Sequence, residues 1–524
     1  MTPLEGGAHR SSSRGNRAPA LDVQVKLAEI AVAIPGARIA AHSEIEVRRV
    51  IFDSRRAGPG DLFVAIHGAN ADGADFALAA INRGAVAIVS ERELNIGVDV
   101  GQLVVPSARR ALGEAASALL GYPSERLRLV GVTGTDGKTT TTHLIAAVLA
   151  ADGRQVGRLS TVDIAIGDVV RPNPYGRTTP EASDLQEALR ELVAAGVEDA
   201  VLEVSSHALA LDRVSGCTFD AAVFTNLAPE HLDFHGTMEA YAEAKARLFG
   251  MLDSPTVKYW SRMGIVNADD PYSFTMIGAS PVGIVSYGLD TPSDVMAVNL
   301  NLLPDRTQFK LVTPLGEWEI VSRLRGRHNV YNWLAAAALA LGWNIDLERV
   351  AEAAEHTSAP PGRLQDIVCG QPFRVVVDFA HTPQALAATL GTLQGLGSGR
   401  LYLVFGMAGQ RDARNRPEMG RLAADGTHFF IISTDDPIDE DPAEIADQIA
   451  IGAQVVGAQE DIDYAVELDR RLAIQTLLKR ARPGDTVLLA GKGHEDRMLI
   501  GDRSVPWSDV QVASEILAEL GFGP

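Results

Sequence analysis

The sequence predicts an α/β protein of three domains: a small α/β domain, a central parallel-sheet domain built around a phosphate loop, and a doubly wound C-terminal domain. Three observations predict it. The chain has 524 residues, about three domains at ordinary domain sizes. Short apolar runs alternate with helical patterns, the β-α-β rhythm of parallel sheets covered on both faces. Two stretches break that rhythm, Gly121-Tyr122-Pro123-Ser124 and Ser358-Ala359-Pro360-Pro361-Gly362, and tandem proline cannot continue a helix.

In chain order, residues 1–20 are rich in Ser, Arg, Gly and Pro and have no apolar segment. That predicts a disordered tail; a secretory signal needs an apolar core, and a transit peptide an amphipathic face. The first domain spans 21–122, with strands at 61–66, 86–89 and 103–105. The second spans 123–357, with strands at 127–130, 199–204 and 221–226 and helices at 141–149 and 237–252. The third spans 358–524, with strands near 373–379, 401–406, 428–433 and 486–490 and no phosphate loop of its own.

The strongest motif is Gly131-Val132-Thr133-Gly134-Thr135-Asp136-Gly137-Lys138-Thr139-Thr140, between a strand and a helix. Backbone N–H groups and the helix N-terminus would face a triphosphate, Lys138 would reach its terminal phosphates and Thr139 would ligate Mg²⁺. The strict pattern GxxxxGK[ST] fails at one position, where Val132 replaces Gly; a plain turn before a helix is the competing reading.

The net charge of −20 argues against a nucleic-acid or membrane-surface binder. Two cysteines, Cys217 and Cys369, give no disulfide framework and suit a reducing cytoplasm. No apolar run is long enough to span a bilayer.

Further candidates stand where strands end, the edge that faces the ligand crevice in open α/β sheets. Glu203 closes one strand and is followed by Ser205, Ser206 and His207; opposite a phosphate loop it can serve a Mg²⁺ site. Glu230, His231, Asp233 and His235 resemble zinc ligands in type, but their spacing fits no familiar zinc site; His231 suits a second Mg²⁺ site. Lys245, inside the helix at 237–252, reads as a solvated surface lysine. Asp378 and His381 follow a strand, where Asp378 would accept from a ribose or simply close a turn. Arg411, Arg414 and Arg416, then Asp435-Asp436-Pro437, then Gly491-Lys492-Gly493-His494-Glu495 would together bind a zwitterion, Arg taking the carboxylate and the acids the amine.

These motifs resemble the Mur ligase family, and within it the branch that adds the third residue of the peptide stem. The resemblance covers nearly all of the chain after residue 20. Gly134, Thr135, Asp136, Gly137, Lys138, Thr139 and Thr140 match the family's ATP loop, with Asp136 where Asn is usual. Asp53-Ser54-Arg55 and Pro59-Gly60-Asp61-Leu62-Phe63-Val64-Ala65 match this branch's uridine-binding domain, with Phe52, Ser54, Ala69, Asn70 and Ala71 as contacts. Thr178, Thr179, Ser205 and Arg213 match muramyl-dipeptide contacts, with Leu211 where Gln is frequent. The resemblance implies further ATP contacts at Asn329, Arg363, Asp378 and His381, and amino-acid contacts at Arg411, Gly491 and Glu495. It reverses the reading of Lys245, which matches the lysine that the family carbamylates to N6-carboxylysine, and it implies metal roles for Thr139, Glu203, His231 and Lys245. Diaminopimelate-adding members carry Asp-Asn-Pro-Arg where this chain has Asp435-Asp436-Pro437-Ile438. Ile438 cannot donate to a carboxylate, so lysine or ornithine is expected.

The implied enzyme is a cytoplasmic, monomeric ATP- and Mg²⁺-dependent amide ligase of peptidoglycan precursor synthesis. It acts on small molecules, with no nucleic-acid partner and no membrane insertion. ATP would phosphorylate the γ-carboxylate of UDP-MurNAc-L-Ala-D-Glu, and the amino acid's α-amine would attack the acyl phosphate. Lys138 and Lys245 are the expected catalytic residues, with His207 a candidate base. The alternatives are another Mur or folylpolyglutamate-type ligase, or a nucleotide-binding regulatory protein that has lost turnover.

Overall fold

The computed structural model describes residues 23–68, 71–97, 99–254, 258, 260–395, 397 and 399–523. The expected tail at 1–20 and the expected uridine contacts Ala69 and Asn70 lie outside the described residues. Three larger sheets follow one another along the chain.

The first has five strands, ordered Arg38–Ala41, Gly101–Val104, Ala85–Ser90, Asp61–Val64 and Arg49–Ile51; the first is antiparallel and the other four are parallel. The helix Ala108–Leu119 covers it with Ala108, Ala111, Leu112, Ala115, Ala116 and Leu119, the spacing of one helical face. Ser107 caps that helix by accepting from the Arg110 N–H at 3.3 Å, satisfying one of its free N–H groups.

The central sheet has eleven strands. Its middle is parallel, ordered Val156–Leu159, Asp199–Glu203, Arg128–Thr133, Ala221–Phe224, Met263–Asn267, Ile284–Gly288 and Val295–Leu302. Val130, Val132, Val201 and Val223 pack against the helices Lys138–Ala151 and Arg327–Gly342 on one face. Leu129, Leu202, Ala222 and Phe224 pack against Ala182–Ala194 and Met238–Gly250 on the other. The sheet is mixed rather than wholly parallel, because antiparallel strands close both edges: Asp163–Ile166 with Val169–Pro172, and Thr307–Thr313 with Gly316–Ser322. In Thr307–Thr313, Phe309 and Leu311 are buried while Gln308 and Lys310 are less so. That alternation suits a half-covered antiparallel edge.

The C-terminal sheet has six strands, ordered Gln365–Ile367, Arg374–Asp378, Thr486–Ala490, Leu401–Phe405, Phe429–Ile432 and Tyr464–Val466, antiparallel only at the first pair. Helices cover both faces, and a hairpin, Arg497–Ile500 with Arg503–Pro506, follows the last parallel strand. Buried Arg325 anchors the connection between the two larger units by donating to the Leu364 carbonyl at 2.7 Å and to Asp366 at 3.2 Å. Among the described residues, no helix is long and apolar enough to cross a membrane.

Candidate active site

The C-terminal strand edges of the two larger sheets face one cleft of about 1840 Å³. On one side lies the phosphate loop, between the strand Arg128–Thr133 and the helix Lys138–Ala151. Its outer side is pinned to the next strand end: the Thr135 N–H donates to the Asn226 carbonyl at 2.8 Å, the Asp136 N–H to Asn226 Oδ1 at 3.0 Å, and the Thr225 hydroxyl to the Asp136 carbonyl at 2.7 Å. Gly134 has φ +151°, and a Cβ there would stand 1.8 Å from Thr225 Oγ1. Gly134→Ala should therefore cost about 2–3 kcal/mol and lower the melting temperature by several degrees, as calorimetry would show. Lys138 Nζ donates to the Gly134 and Thr135 carbonyls at 3.0 and 2.7 Å, which holds its ammonium over the loop.

Lys245 is not a solvated helix lysine. The helix Met238–Gly250 packs beneath the loop, and Lys245, 1% exposed, donates to the same Gly134 carbonyl at 2.6 Å. Its Nζ lies 4.4 Å from the ring of Tyr241, one turn earlier, whose hydroxyl is 3.2 Å from Thr135 Oγ1. Burial, and then the nearby Lys138 charge, push the Lys245 amine well below the usual lysine range, toward the neutral form.

Glu203 is fully buried and accepts from the Thr161 N–H at 2.7 Å and the Thr161 hydroxyl at 2.9 Å. His207 packs with its ring centre 4.6 Å from that of His231 and 4.3 Å from that of Phe234. Burial lowers His207 and pushes His231 down to about 4, so His231 is neutral at pH 7. His231 Nε2 lies 3.5 Å from Glu230 Oε1, but among the described residues the acids and histidines of 230–235 form no group of three that could hold zinc. Glu230 accepts from His381 Nε2 at 3.2 Å, whereas His235 Nε2 lies 3.0 Å from Ser206 Oγ. Burial would raise the Glu230 carboxyl, but the His381 hydrogen bond and neighbouring positive charges hold it well below the usual range.

That Glu230–His381 contact is one of several across the cleft. The Arg363 guanidinium donates to Thr139 Oγ1 at 3.3 Å and lies 4.5 Å from the Phe379 ring. The Thr382 hydroxyl is 3.5 Å from Asp136 Oδ2. Asp378 accepts from the Leu364 N–H at 2.7 Å, the Ala380 N–H at 2.9 Å and the Thr389 hydroxyl at 3.1 Å, so it closes its own turn while lining the cleft. Asn329 donates to the Arg325 carbonyl at 2.8 Å and accepts from Asn332 at 2.9 Å; Asn332 in turn accepts from Thr141 at 3.1 Å. This chain couples the helix Arg327–Gly342 to the phosphate-loop helix.

At the C-terminal wall, Asp435, Asp436, Gly491, Glu495 and Arg411 line the cleft. The acids are not bare. Lys492 Nζ lies 2.7 Å from Asp436 Oδ1, 2.6 Å from Glu495 Oε2 and 3.5 Å from Asp435 Oδ1. Gly491 lets Asp435 approach, since a Cβ there would lie 2.5 Å from Asp435 Oδ2. Ile438 sits just after Pro437 with φ +55°, unusual for a β-branched residue. The hairpin holds it there: the Ile438 N–H donates to the Leu499 carbonyl at 3.2 Å and its carbonyl accepts from the Gly501 N–H at 2.7 Å. Arg414 pairs with Asp412 at 2.6 Å, and buried Arg416 pairs with Glu440 at 2.8 Å. Of the three arginines, Arg411 alone lines the cleft.

Among the expected acceptor contacts, Thr178, Ser205 and Arg213 also line the cleft. Buried Thr179 donates to the Glu203 carbonyl at 2.9 Å and accepts from the Ser205 N–H at 3.1 Å; Arg213 pairs with Glu181 at 3.0 Å. Phe52 lies elsewhere, in a small crevice with Asp53, Arg56, Ser183 and Asp184 between the first domain and the helix Ala182–Ala194. Ser54 opens the turn Ser54–Arg56 beside it, and the Ala71 carbonyl accepts from the Gly68 N–H at 2.9 Å.

Comparison with known proteins agrees with this three-part arrangement. Family models match at residues 46–125 (Mur ligase family, catalytic domain), 132–340 (Mur ligase middle domain) and 362–493 (Mur ligase, glutamate ligase domain). A UDP-N-acetylmuramyl-tripeptide synthetase of Roseiflexus sp. (strain RS-1) is 43% identical over 91% of this chain and 96% of its own length. The chain belongs to the Mur ligase family. It is thus an ATP-dependent amide-bond ligase of peptidoglycan synthesis. This Mur ligase is also 40% identical, over 94% of the chain and all of the relative, to the UDP-N-acetylmuramoyl-L-alanyl-D-glutamate–2,6-diaminopimelate ligase of Geobacillus thermodenitrificans (strain NG80-2). A solved 2,6-diaminopimelate ligase of the same type superposes with TM-score 0.66 at 32% identity, covering 95% of this chain and 99% of that one. A Mur ligase from Thermotoga maritima solved with ADP shares the fold, with TM-score 0.62 at 20% identity, covering 90% of this chain and 97% of that one.

Sequence reasoning passed over Tyr241, Thr161 and Asn332, took Lys492 only as part of a glycine-rich turn, and gave Glu230 no role across the cleft. The four-residue spacing of Tyr241 and Lys245 puts them on one helix face and was the one available signal. The others depend on which strand ends, and for Asn332 which helices, become neighbours.

Proposed function

We propose that this Mur ligase adds the third amino acid, lysine or ornithine in preference to meso-diaminopimelate, to UDP-MurNAc-L-Ala-D-Glu. The observation that carries this reading is the single cleft that joins the phosphate loop, the Thr178–Ser205–Arg213 wall and the Asp435–Glu495 wall. The names of its relatives support the acceptor. The γ-phosphoryl group of ATP passes to the acceptor carboxylate, releasing ADP. The amino group then attacks the acyl carbon, and the tetrahedral adduct expels phosphate as the nitrogen loses a proton. Lys138 offsets the charge of a carboxylate approaching a triphosphate, and Arg363 and His381 reach the nucleotide from the opposite wall. His207, its pKa lowered by burial, is the base that accepts the amine proton.

Lys245 carries a carbamate in this reading. Its amine is held toward the neutral form that attacks CO₂; the nitrogen then gives up one proton to solvent, and the carbamate places beside Lys138 an attracted anion where a protonated lysine would be repelled. Thr139, Glu203, neutral His231 and that carbamate would be the donors to Mg²⁺, His231 at a second ion. When bound, the ion would help neutralise the triphosphate.

Ile438 supports the choice of amino acid, since it offers no donor to a distal carboxylate. A charge-assisted hydrogen bond is worth about 1.5–3 kcal/mol, or roughly tenfold to a hundredfold in affinity. Lysine or ornithine should therefore show a higher kcat/KM than meso-diaminopimelate, and Ile438→Arg should move the ratio toward diaminopimelate. A steady-state panel of the three amino acids tests this, and a tenfold wild-type preference for diaminopimelate would overturn it.

A further inference from the structure

Gly491-Lys492-Gly493 has the composition of an anion-binding turn, but the geometry gives its lysine a different task. The Lys492 side chain is 0% exposed, Asp435 8%, Asp436 15% and Glu495 34%. The ammonium therefore lies at the floor, and the carboxylates stand between it and the cleft. Lys492 cannot present its charge to an anion in the cleft without displacing them. Among the described residues, these three acids are the group of potential metal ligands whose oxygens come within 4.8 Å of one another. Unpaired, they would repel one another strongly in a partly buried site. Lys492 removes that cost while fixing one oxygen of each acid, and the Leu499 N–H fixes Asp436 Oδ1 further at 2.9 Å.

We infer that Lys492 is a positioning residue for amino-acid selection: a resident ammonium that orders Asp435, Asp436 and Glu495 to receive the side-chain ammonium of the incoming diamino acid. Three carboxylates around one lysine leave the wall formally anionic, so it accepts a second ammonium and disfavours an apolar side chain of the same length. This rests on the reading of that wall as the amino-acid subsite. It goes further in assigning the selection to a residue that does not touch the substrate.

The test compares the wild-type protein with Lys492→Met and Lys492→Arg. For each, KM is measured for ATP, for the UDP-linked acceptor and for the diamino acid that the wild type uses best among lysine, ornithine and diaminopimelate. The ratio of kcat/KM for that amino acid over norleucine, which lacks the distal amine, is measured alongside. Lys492→Met should raise the diamino-acid KM at least tenfold and lower the ratio at least tenfold, with the ATP and acceptor KM values within twofold of wild type. Lys492→Arg keeps the charge but changes the shape, and should fold and lower the ratio by a smaller factor. If Lys492→Met does not fold, Lys492→Arg alone decides. A folded variant whose ratio stays within twofold of wild type overturns the inference. A wild-type enzyme that uses none of the three diamino acids overturns the subsite reading instead, before any variant is compared.

Discussion

Lys138→Ala should remove acceptor-dependent phosphate release, by about 10³-fold or more, while leaving the fold intact. The expectation follows from charge. Phosphoryl transfer to a carboxylate brings two anions together, and fixed cations at the transferring group supply a large part of the catalysis in such sites. Lys138 is held by the Gly134 and Thr135 carbonyls at the first residue of the helix, so its removal takes the ammonium from a helix N-terminus, where the helix dipole favours a phosphate. The side chain is part of no core cluster, and circular dichroism and melting temperature should stay near wild type. Phosphate release within threefold of wild type would refute this placement of the triphosphate.

The second large effect belongs to Lys245. Lys245→Ala should lose most activity, and short carboxylic acids added to the assay should restore part of it by supplying an anion in the space the side chain leaves. A simple cation should not rescue, because a carbamate would act as an anion. Mass spectrometry of the native, ligand-bound enzyme adds a readout independent of rate. An unmodified lysine in fully active protein would contradict the assignment, and so would rescue by ammonium rather than carboxylate.

Much of the fold was legible because buried parallel strands are continuous apolar runs. Leu129–Val132, Ala200–Leu202 and Ala221–Phe224 in the central sheet, and Val375–Val377 and Leu401–Phe405 in the C-terminal one, are buried throughout. The edge strands were not legible in the same way. Thr307–Thr313 and Gly316–Ser322 mix polar and apolar residues, and the pairing of an edge depends on the sheet it joins. The phosphate loop was legible because Gly134, Gly137 and Lys138 answer to local backbone geometry. Lys245 was not legible from its helix alone, since a lysine among alanines reads as solvated until the loop that covers it is known; only the family resemblance reversed that reading. The sequence alone places Asp435 and Asp436 where they would take an amine and shows no cation beside them. The structure adds that cation: both are paired with Lys492, and with Glu495 three carboxylates surround one ammonium.

If one cleft couples ATP cleavage to joining an amino acid to a UDP-linked acceptor carboxylate, phosphate release must depend on both substrates. Phosphate release from ATP by the purified wild-type protein, measured with UDP-MurNAc-L-Ala-D-Glu and lysine or ornithine present together and then with each omitted, tests it most directly. Sustained release that needs both, matched mole for mole by the tripeptide product, is the predicted result; release indifferent to the acceptor, or no turnover with any amino acid, would contradict it.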